Sequence, residues 1–274
     1  MFVVDTLLHR LKRGCETMSY PEGPAPPLPE RHGGALRVEA ARCTDGCDVC
    51  VASCPTEAIR RAPGQAVALD LGRCVFCSAC VQACPTGAIT HTGDHRMAAR
   101  SRADLVLGAE GQERARLAAA LDATLLRLFG RSLRLRQVSA GGCNACEADT
   151  NVLGTIGWDL GRFGIQFVAS PRHADGLLIT GPVTRNMELA LKKTWDAVPE
   201  PKIVVAVGAC AVSGGLFSAH PEVHPGAAEV VPVDLYIPGC PPHPLTILDG
   251  LLRLLDRLDE RRFPPRADVT ASVP

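Results

Sequence analysis

Aromatic side chains are scarce in this chain, at 4% of its 274 residues, and charge of neither sign is in excess, 29 Lys and Arg standing against 29 Asp and Glu. A neutral chain lacks the basic footprint that nucleic-acid recognition needs, so no nucleic-acid partner is expected. Long hydrophobic runs are missing too. The longest, such as Ile203 to Val212, reach about half of the roughly 20 residues needed to cross a bilayer, so no spanning helix is expected. The N-terminal stretch MFVVDTLLHRLKRG has Asp5 among its apolar residues and its basic residues after them, the reverse of a secretory signal, which predicts a chain that is not exported.

Present in quantity are Gly (26), Pro (22) and Cys (13), within a composition that is 46% apolar and long enough for two modest domains. Thirteen cysteines in a chain without an export signal point to metal ligands, because the cytosol keeps thiols reduced. Eight lie in two runs, CTDGCDVCVASCPTEAI from Cys43 and CVFCSACVQACPTGAI from Cys74, a quasi-repeat sharing the ending CPTxAI. The second run is C-x2-C-x2-C-x3-C-P, the spacing by which two-cluster bacterial ferredoxins hold cubane iron–sulfur clusters, the cysteine before proline reaching the other cluster. On that pattern Cys43, Cys47, Cys50 and Cys84 hold one cluster, and Cys74, Cys77, Cys80 and Cys54 hold its twin. Structural zinc is the competing reading. It fits poorly, since zinc sites use two separated cysteine pairs rather than three cysteines within seven residues. The first run departs from the pattern: Cys43 and Cys47 are C-x3-C, which predicts an altered loop around the first cluster.

Residues 91–110 are polar and mixed and read as a linker with one short strand at Asp104 to Leu107; after them Leu117, Leu121, Leu125 and Leu128 recur at helical spacing up to Gly130. A second domain is expected from about residue 111. Its apolar runs LRLRQV, IQFVA, GLLITG, KIVVAVG and VDLYIP are interleaved with helical stretches, Asn186 to Val198 among them, and a helix from Pro244 to Arg262 follows the last. Continuous apolar strands between helices predict a parallel sheet covered on both faces, a doubly wound α/β class. Cys143 and Cys146 follow the first of these strands, Cys210 the fourth and Cys240 the fifth. All four therefore fall beyond the carboxyl ends of parallel strands, where open α/β sheets bind ligands, and can converge on a third cubane. Gly141, Gly142, Gly208 and Gly239 each lie within two residues of one of them, where a missing Cβ lets backbone pass close to an inorganic core.

The stretches GGCNACE, LLITGPVTRNM, VVAVGACAVSGG and YIPGCPPHP resemble the small, proximal-cluster subunit shared by membrane-bound group 4 nickel–iron hydrogenases, formate hydrogenlyase and respiratory complex I, whose member there is the 20 kDa subunit. The likeness covers roughly residues 111–262. The first 100 residues resemble the two-cluster ferredoxin subunit of the same complexes, so the chain looks like a fusion of two neighbours. In the complex I form the first two ligand cysteines are adjacent, whereas Cys143-Asn144-Ala145-Cys146 is spaced as in hydrogenases; the missing leader and early end match the energy-converting, formate-hydrogenlyase-like group. The resemblance implies an amphipathic N-terminal helix and Pro-rich arm (1–35), a ferredoxin-like α+β domain with two 4Fe–4S clusters (36–95), a linker (96–110), a flavodoxin-like doubly wound domain with one 4Fe–4S cluster (111–264) and a tail (265–274).

It also implies electron relay through three 4Fe–4S clusters, with no catalytic centre in the chain itself. The implied partners are a nickel–iron large subunit, membrane-arm subunits, and an electron-donor subunit or soluble ferredoxin, and the implied place is the cytoplasmic, inner face of the cell membrane. A complex I-like subunit serving quinone reduction and a stand-alone ferredoxin-like carrier are the alternatives. Glu147 reads either as an acid in a helix's first turn, favoured by the dipole, or, by resemblance, as a proton relay facing the large subunit. His243 reads as a helix-start residue; His91, His95, His220 and His224 read as solvated, and Cys15 as packed on an apolar face. Val4, Leu7, Leu8, Leu11 and Cys15 share one face of an N-terminal helix, as at a membrane interface or a partner subunit; docking at the membrane arm is the favoured reading.

Overall fold

A computed structural model describes residues 2–29, 31–61, 67–108 and 115–258. The chain opens with helix α1 (Phe2–Arg13), followed by β1 (Leu36–Val38), α2 (Val49–Ala52), β2 (Ile59–Arg61), β3 (Val67–Asp70), α3 (Ala79–Ala83), β4 (Ile89–His91) and β5 (Val106–Leu107). β1 pairs with β4, and β2, β3 and β5 form a second antiparallel sheet. The quasi-repeat is visible in this order, since each cysteine run enters a short helix (α2, α3), passes CPTxAI and leaves along a strand (β2, β4).

The second half adds α4 (Ala123–Phe129), β6 (Leu133–Ser139), α5 (Ala145–Val152), β7 (Ile165–Phe167), β8 (Gly176–Thr180), α6 (Arg185–Ala197), β9 (Ile203–Val207), α7 (Ala209–Ser213), β10 (Leu235–Ile237) and α8 (Pro244–Leu254). β6 to β10 make one parallel sheet whose spatial order, β7-β6-β8-β9-β10, is 2-1-3-4-5 in chain order, the flavodoxin-like arrangement. Every residue of GLLIT and IVVAV is buried, as continuous apolar strands require. Alternate residues feed two cores. Leu178, Ile203, Val205 and Val207 join the leucines of α8 on one face, while Leu177, Ile179, Val204 and Ala206 on the other join Leu36, Leu69 and Leu105 of the N-terminal half. The N-terminal half thus shares the core of that face with Leu191 of α6 and Ala211 and Val212 of α7, each buried Leu or Ile adding about 1.5–3 kcal/mol.

Three expectations are corrected here. The helix read over 111–130 forms only as α4, residues 111–114 lying outside the described ones: Asp122 is extended and its carboxylate accepts from the amides of Thr124 and Leu125, fixing the start there. Upstream, the Ala118 and Leu121 amides bond instead to Ala98 O and Leu254 O (2.7 and 3.0 Å), a tertiary pairing that overrides leucine spacing. The segment read as a linker is built in: Met97, Ala98 and Ala99 are buried, Ala99 exchanges two backbone bonds with Tyr236 (3.0 and 2.8 Å), and β5 extends the N-terminal sheet. The last helix ends at Leu254, with 259–262 and the tail 265–274 outside the described residues.

The N-terminal arm is also anchored, through Arg162 to Met18 O (2.6 Å) and Tyr20 O (2.5 Å) and through the Tyr20 hydroxyl to Asp249 Oδ1 (3.1 Å). Asp249 is fully buried on α8 and accepts from Arg253 Nε (2.8 Å). His95 lies beside this group, buried edge-on to Tyr20 at 5.9 Å, rather than in solvent. His91 and His224 are likewise half-buried, on Ser78 Oγ and Glu188 Oε2 (both 2.9 Å), and His220 is exposed as expected. His243 starts α8, its Nδ1 accepting from the Leu245 amide (3.1 Å). Cys15 is exposed, because α1 turns its apolar face outward: Val3, Val4, Leu7, Leu8 and Leu11 are 50–79% exposed.

Burial lowers the His95 pKa to about 4, with Asp94 opposing and Arg96, His32 and Arg253 assisting. Unfolding therefore takes up a proton below the unfolded value near 6.5, so the stability this neutral ring contributes is present above pH 6.5 and is lost as pH falls toward 4. Urea unfolding of His95→Asn between pH 5 and 7 should show a shallower loss of stability with acid than the parent; an identical slope contradicts this.

Candidate metal centres

The cysteines gather in three groups. Cys43, Cys47, Cys50 and Cys84 line one cavity together with Thr44, Val67, Thr86 and Ile89. Cys74 interacts electrostatically with Cys80, Cys54 and Cys77, which places the cysteine before proline of each run with the other run's triplet. The two groups adjoin, since Cys80 also feels Cys50. Hydrogen bonds repeat with the sequence: Cys54 Sγ receives the Ala58 amide (3.2 Å) and lies 3.7 Å from Thr56 Oγ1, and Cys84 Sγ receives the Ala88 amide (3.3 Å) and lies 3.7 Å from Thr86 Oγ1.

The third group stands at the carboxyl edge of the parallel sheet. Cys143 and Cys146 follow β6, at the point between β6 and β8 where the strand order reverses and ligands bind in such sheets. Cys210 lies on α7 after β9, Cys240 follows β10, and Cys146 interacts with Cys210, Cys240 and Cys143. The turns Cys77-Ser78-Ala79-Cys80 and Cys143-Asn144-Ala145-Cys146 are built alike: Ser78 (φ 65) and Asn144 (φ 69) are left-handed, launching α3 and α5 with the second cysteine inside the helix. Gly208, at φ +90, makes room for a thiol, because a Cβ there would lie 2.5 Å from Cys146 Sγ. At Gly141, Gly142 and Gly239 the crowding atoms belong to Thr184, Gly181 and Pro242, so protein packing requires these glycines. Glu147 is buried in the first turn of α5, and both Ser139 Oγ (2.6 Å) and Thr180 Oγ1 (2.7 Å), at the ends of β6 and β8, donate to its Oε1.

Electrostatics shows what these groups lack. Burial first, and neighbouring thiolates second, push Cys146 up to about 12 and Cys210 up to about 11. Cys74 and Cys80 rise to about 12 and about 11, again chiefly through burial. At Cys84 burial also acts upward, but bonds from Thr86, Ala88 and Ile89 bring the thiol below its ordinary value. Several thiolates buried together repel one another and need a positive core. Among the described residues no three His, Cys, Asp or Glu side chains could share a single metal ion. Four thiols in each group are the all-cysteine donor set that a cubane takes, one on each iron.

The centres are joined mechanically. Ser213 Oγ at the end of α7 donates to Gly72 O (2.9 Å), and Arg102 clamps Asp70 bidentately (2.6 and 2.7 Å), so the loop entering Cys74 packs on the helix carrying Cys210. Sequence reading missed Ser213, Ser139, Thr180 and Gly215, whose absent Cβ faces Cys210 Sγ at 3.0 Å. The repeated Pro-Thr after Cys54 and Cys84 was a usable signal for Thr56 and Thr86.

Residues 143–254 match the model of the NADH ubiquinone oxidoreductase 20 kDa subunit, and residues 37–88 that of a 4Fe-4S dicluster domain. A probable membrane-bound hydrogenase subunit of Pyrococcus furiosus is 41% identical over half of this chain and 81% of its own length. The chain belongs to the NADH ubiquinone oxidoreductase 20 kDa subunit family. Another relative, an NADH-quinone oxidoreductase subunit of Citrifermentans bemidjiense, is 48% identical over 44% of this chain and 71% of its own. Formate hydrogenlyase subunit 7 of Escherichia coli is 44% identical over 52% of this chain, which spans about half (56%) of that relative. The 20 kDa subunit segment contains Cys143, Cys146, Cys210 and Cys240, and the dicluster segment contains the other two groups.

Gly208→Ala should force Cys146 aside and remove one centre of three, lowering anaerobic iron content by about four atoms per chain while sparing the dicluster segment. Unchanged iron in the folded variant contradicts this assignment.

Proposed function

We propose that this chain is the electron-transfer subunit of a membrane-associated, formate-hydrogenlyase-like hydrogenase complex. Residues 36–95 act as a ferredoxin-like module with two 4Fe–4S clusters, one on Cys43, Cys47, Cys50 and Cys84 and one on Cys74, Cys77, Cys80 and Cys54. Cys143, Cys146, Cys210 and Cys240 hold the third, proximal cluster, against a separate nickel–iron large subunit. When bound, the clusters supply one-electron chemistry without proton transfer to the protein. The observation that carries this reading is the contact of Ser213 with Gly72, which sets the three thiol groups in sequence: the cavity group outermost, the Cys74 group in the middle, the sheet-edge group at the far end. An electron-donor subunit or soluble ferredoxin meets the outer group.

The protein's own part is to fix spacing and tune the sulfurs, through burial and the bonds from Ala58, Ala88, Thr56 and Thr86. Glu147, held at Oε1 by two hydroxyls, passes protons toward the large subunit in this reading. The described residues include no helix long and apolar enough to cross a membrane, so association is peripheral. The exposed leucine face of α1, with Arg10, Lys12 and Arg13 in its last turn, docks at the membrane arm on the cytoplasmic side. A second reading, a complex I-like subunit passing electrons to quinone, is favoured by the 48% identity to the NADH-quinone oxidoreductase subunit of Citrifermentans bemidjiense.

The complex isolated through this chain should contain nickel and reduce a viologen dye with hydrogen. Quinone-dependent turnover without nickel would replace the first reading by the second. In the same assay Glu147→Gln should keep all clusters by electron paramagnetic resonance yet lose about 10²-fold or more in turnover; full turnover would remove Glu147 from proton transfer.

A further inference from the structure

The two halves of the quasi-repeat are not electrically equivalent. Aligning CPTEAIRR with CPTGAITH puts Arg61 of β2 opposite His91 of β4. Arg61 turns back over its own half: Nη2 donates to Cys43 Sγ (2.9 Å), to Cys47 O (2.9 Å) and, longer, to Thr44 O (3.5 Å). Its Nε lies 3.1 Å from Asp48 Oδ1, with the guanidinium side chain 12% exposed and the carboxylate 63% exposed. His91 instead faces Ser78 Oγ at 2.9 Å, and burial lowers its pKa, so this side chain brings no positive charge to its half.

The asymmetry coincides with the one irregular spacing. In the regular half Ser78 is left-handed (φ 65) and starts α3; at the equivalent position in the C-x3-C half, Asp48 has φ −111. The C-x3-C half keeps a left-handed residue before its second cysteine, Gly46 (φ 73) as Phe76 (φ 56) in the twin, but not at the helix start, and Arg61 braces its enlarged loop by bonding one sulfur and two carbonyls. A guanidinium stays charged at any accessible pH. Adding one electron to a cluster at this site makes the site one unit more negative with no proton taken up, and a fixed cation at hydrogen-bond distance from a ligand sulfur favours that reduced state.

We infer that Arg61 sets the reduction potential of the outer cluster above that of its twin, making the cavity group the electron-collecting end of the N-terminal pair. This rests on the reading of both groups as 4Fe–4S sites. The test is a potentiometric titration of the anaerobically purified chain followed by electron paramagnetic resonance, with the signal of the outer cluster identified as the one Cys47→Ser abolishes. Arg61→Gln should lower the midpoint of that signal by at least about tenfold in the oxidised-to-reduced ratio, about 59 mV for one electron, and leave the other two signals in place. Arg61→Lys should lower it less, and Asp48→Asn, which frees the guanidinium from its carboxylate, should raise it. An unmoved midpoint in Arg61→Gln with all three clusters present overturns the inference. Should Arg61→Gln lose the outer cluster, Asp48→Asn decides: a raised midpoint supports the inference and an unmoved one overturns it. A parent chain without clusters overturns the functional reading itself.

Discussion

Buried sulfur charge is the constraint on which the rest of this structure depends. Cys74 and Cys80 are buried and Cys146 and Cys210 half-buried, each near other thiols, and burial with mutual repulsion drives their pKa values to between about 11 and about 12. Without a compensating positive core such groups stay protonated; with one, they become ligands, and assembly releases their protons. The amides of Ala58 and Ala88, the hydroxyls of Thr56 and Thr86, and Arg61 supply partial and full positive charge to sulfurs from outside the core. The protein prepares each site for an electron carrier by gathering four thiols, part of them buried, and letting a few donors tune them.

Placement follows from packing. The parallel sheet buries one face under α8 and the other in a core shared by α6, α7 and the N-terminal half, so the module bearing two thiol groups packs into the same core as the sheet. Arg102 on Asp70 holds the loop before Cys74 within that module, and Ser213 on Gly72 fixes the loop against α7. A wire in one polypeptide needs no diffusional encounter between its segments, and the fusion of two modules makes their spacing a property of a shared hydrophobic core. The segment around Ala99, hydrogen-bonded to Tyr236 on one side and continuing into β5 on the other, is the seam.

Much of this was legible in the sequence. The five parallel strands, the carboxyl-edge position of Cys143, Cys146, Cys210 and Cys240, and the exchange of Cys54 and Cys84 between runs all follow from spacing and apolar patterning, which local physics sets. What escaped depended on partners far along the chain. Leu117 and Leu121 carry helical spacing, yet the backbone at Ala118 and Leu121 is claimed by Ala98 and Leu254. His95 reads as a loop residue, but Tyr20 and Asp249, distant in sequence, enclose it. Arg61 has no motif to announce it; only its place opposite His91 in the repeat, with the extra residue before Cys47, marks the two halves as different.

The metal content of the thiol groups is the most direct measure of whether these sulfurs hold electron carriers. Mössbauer spectroscopy with iron and acid-labile sulfide analysis of the anaerobically isolated chain should give about twelve irons and as many sulfides, all in cubane form. Zinc in their place, or iron without matching sulfide, would contradict it.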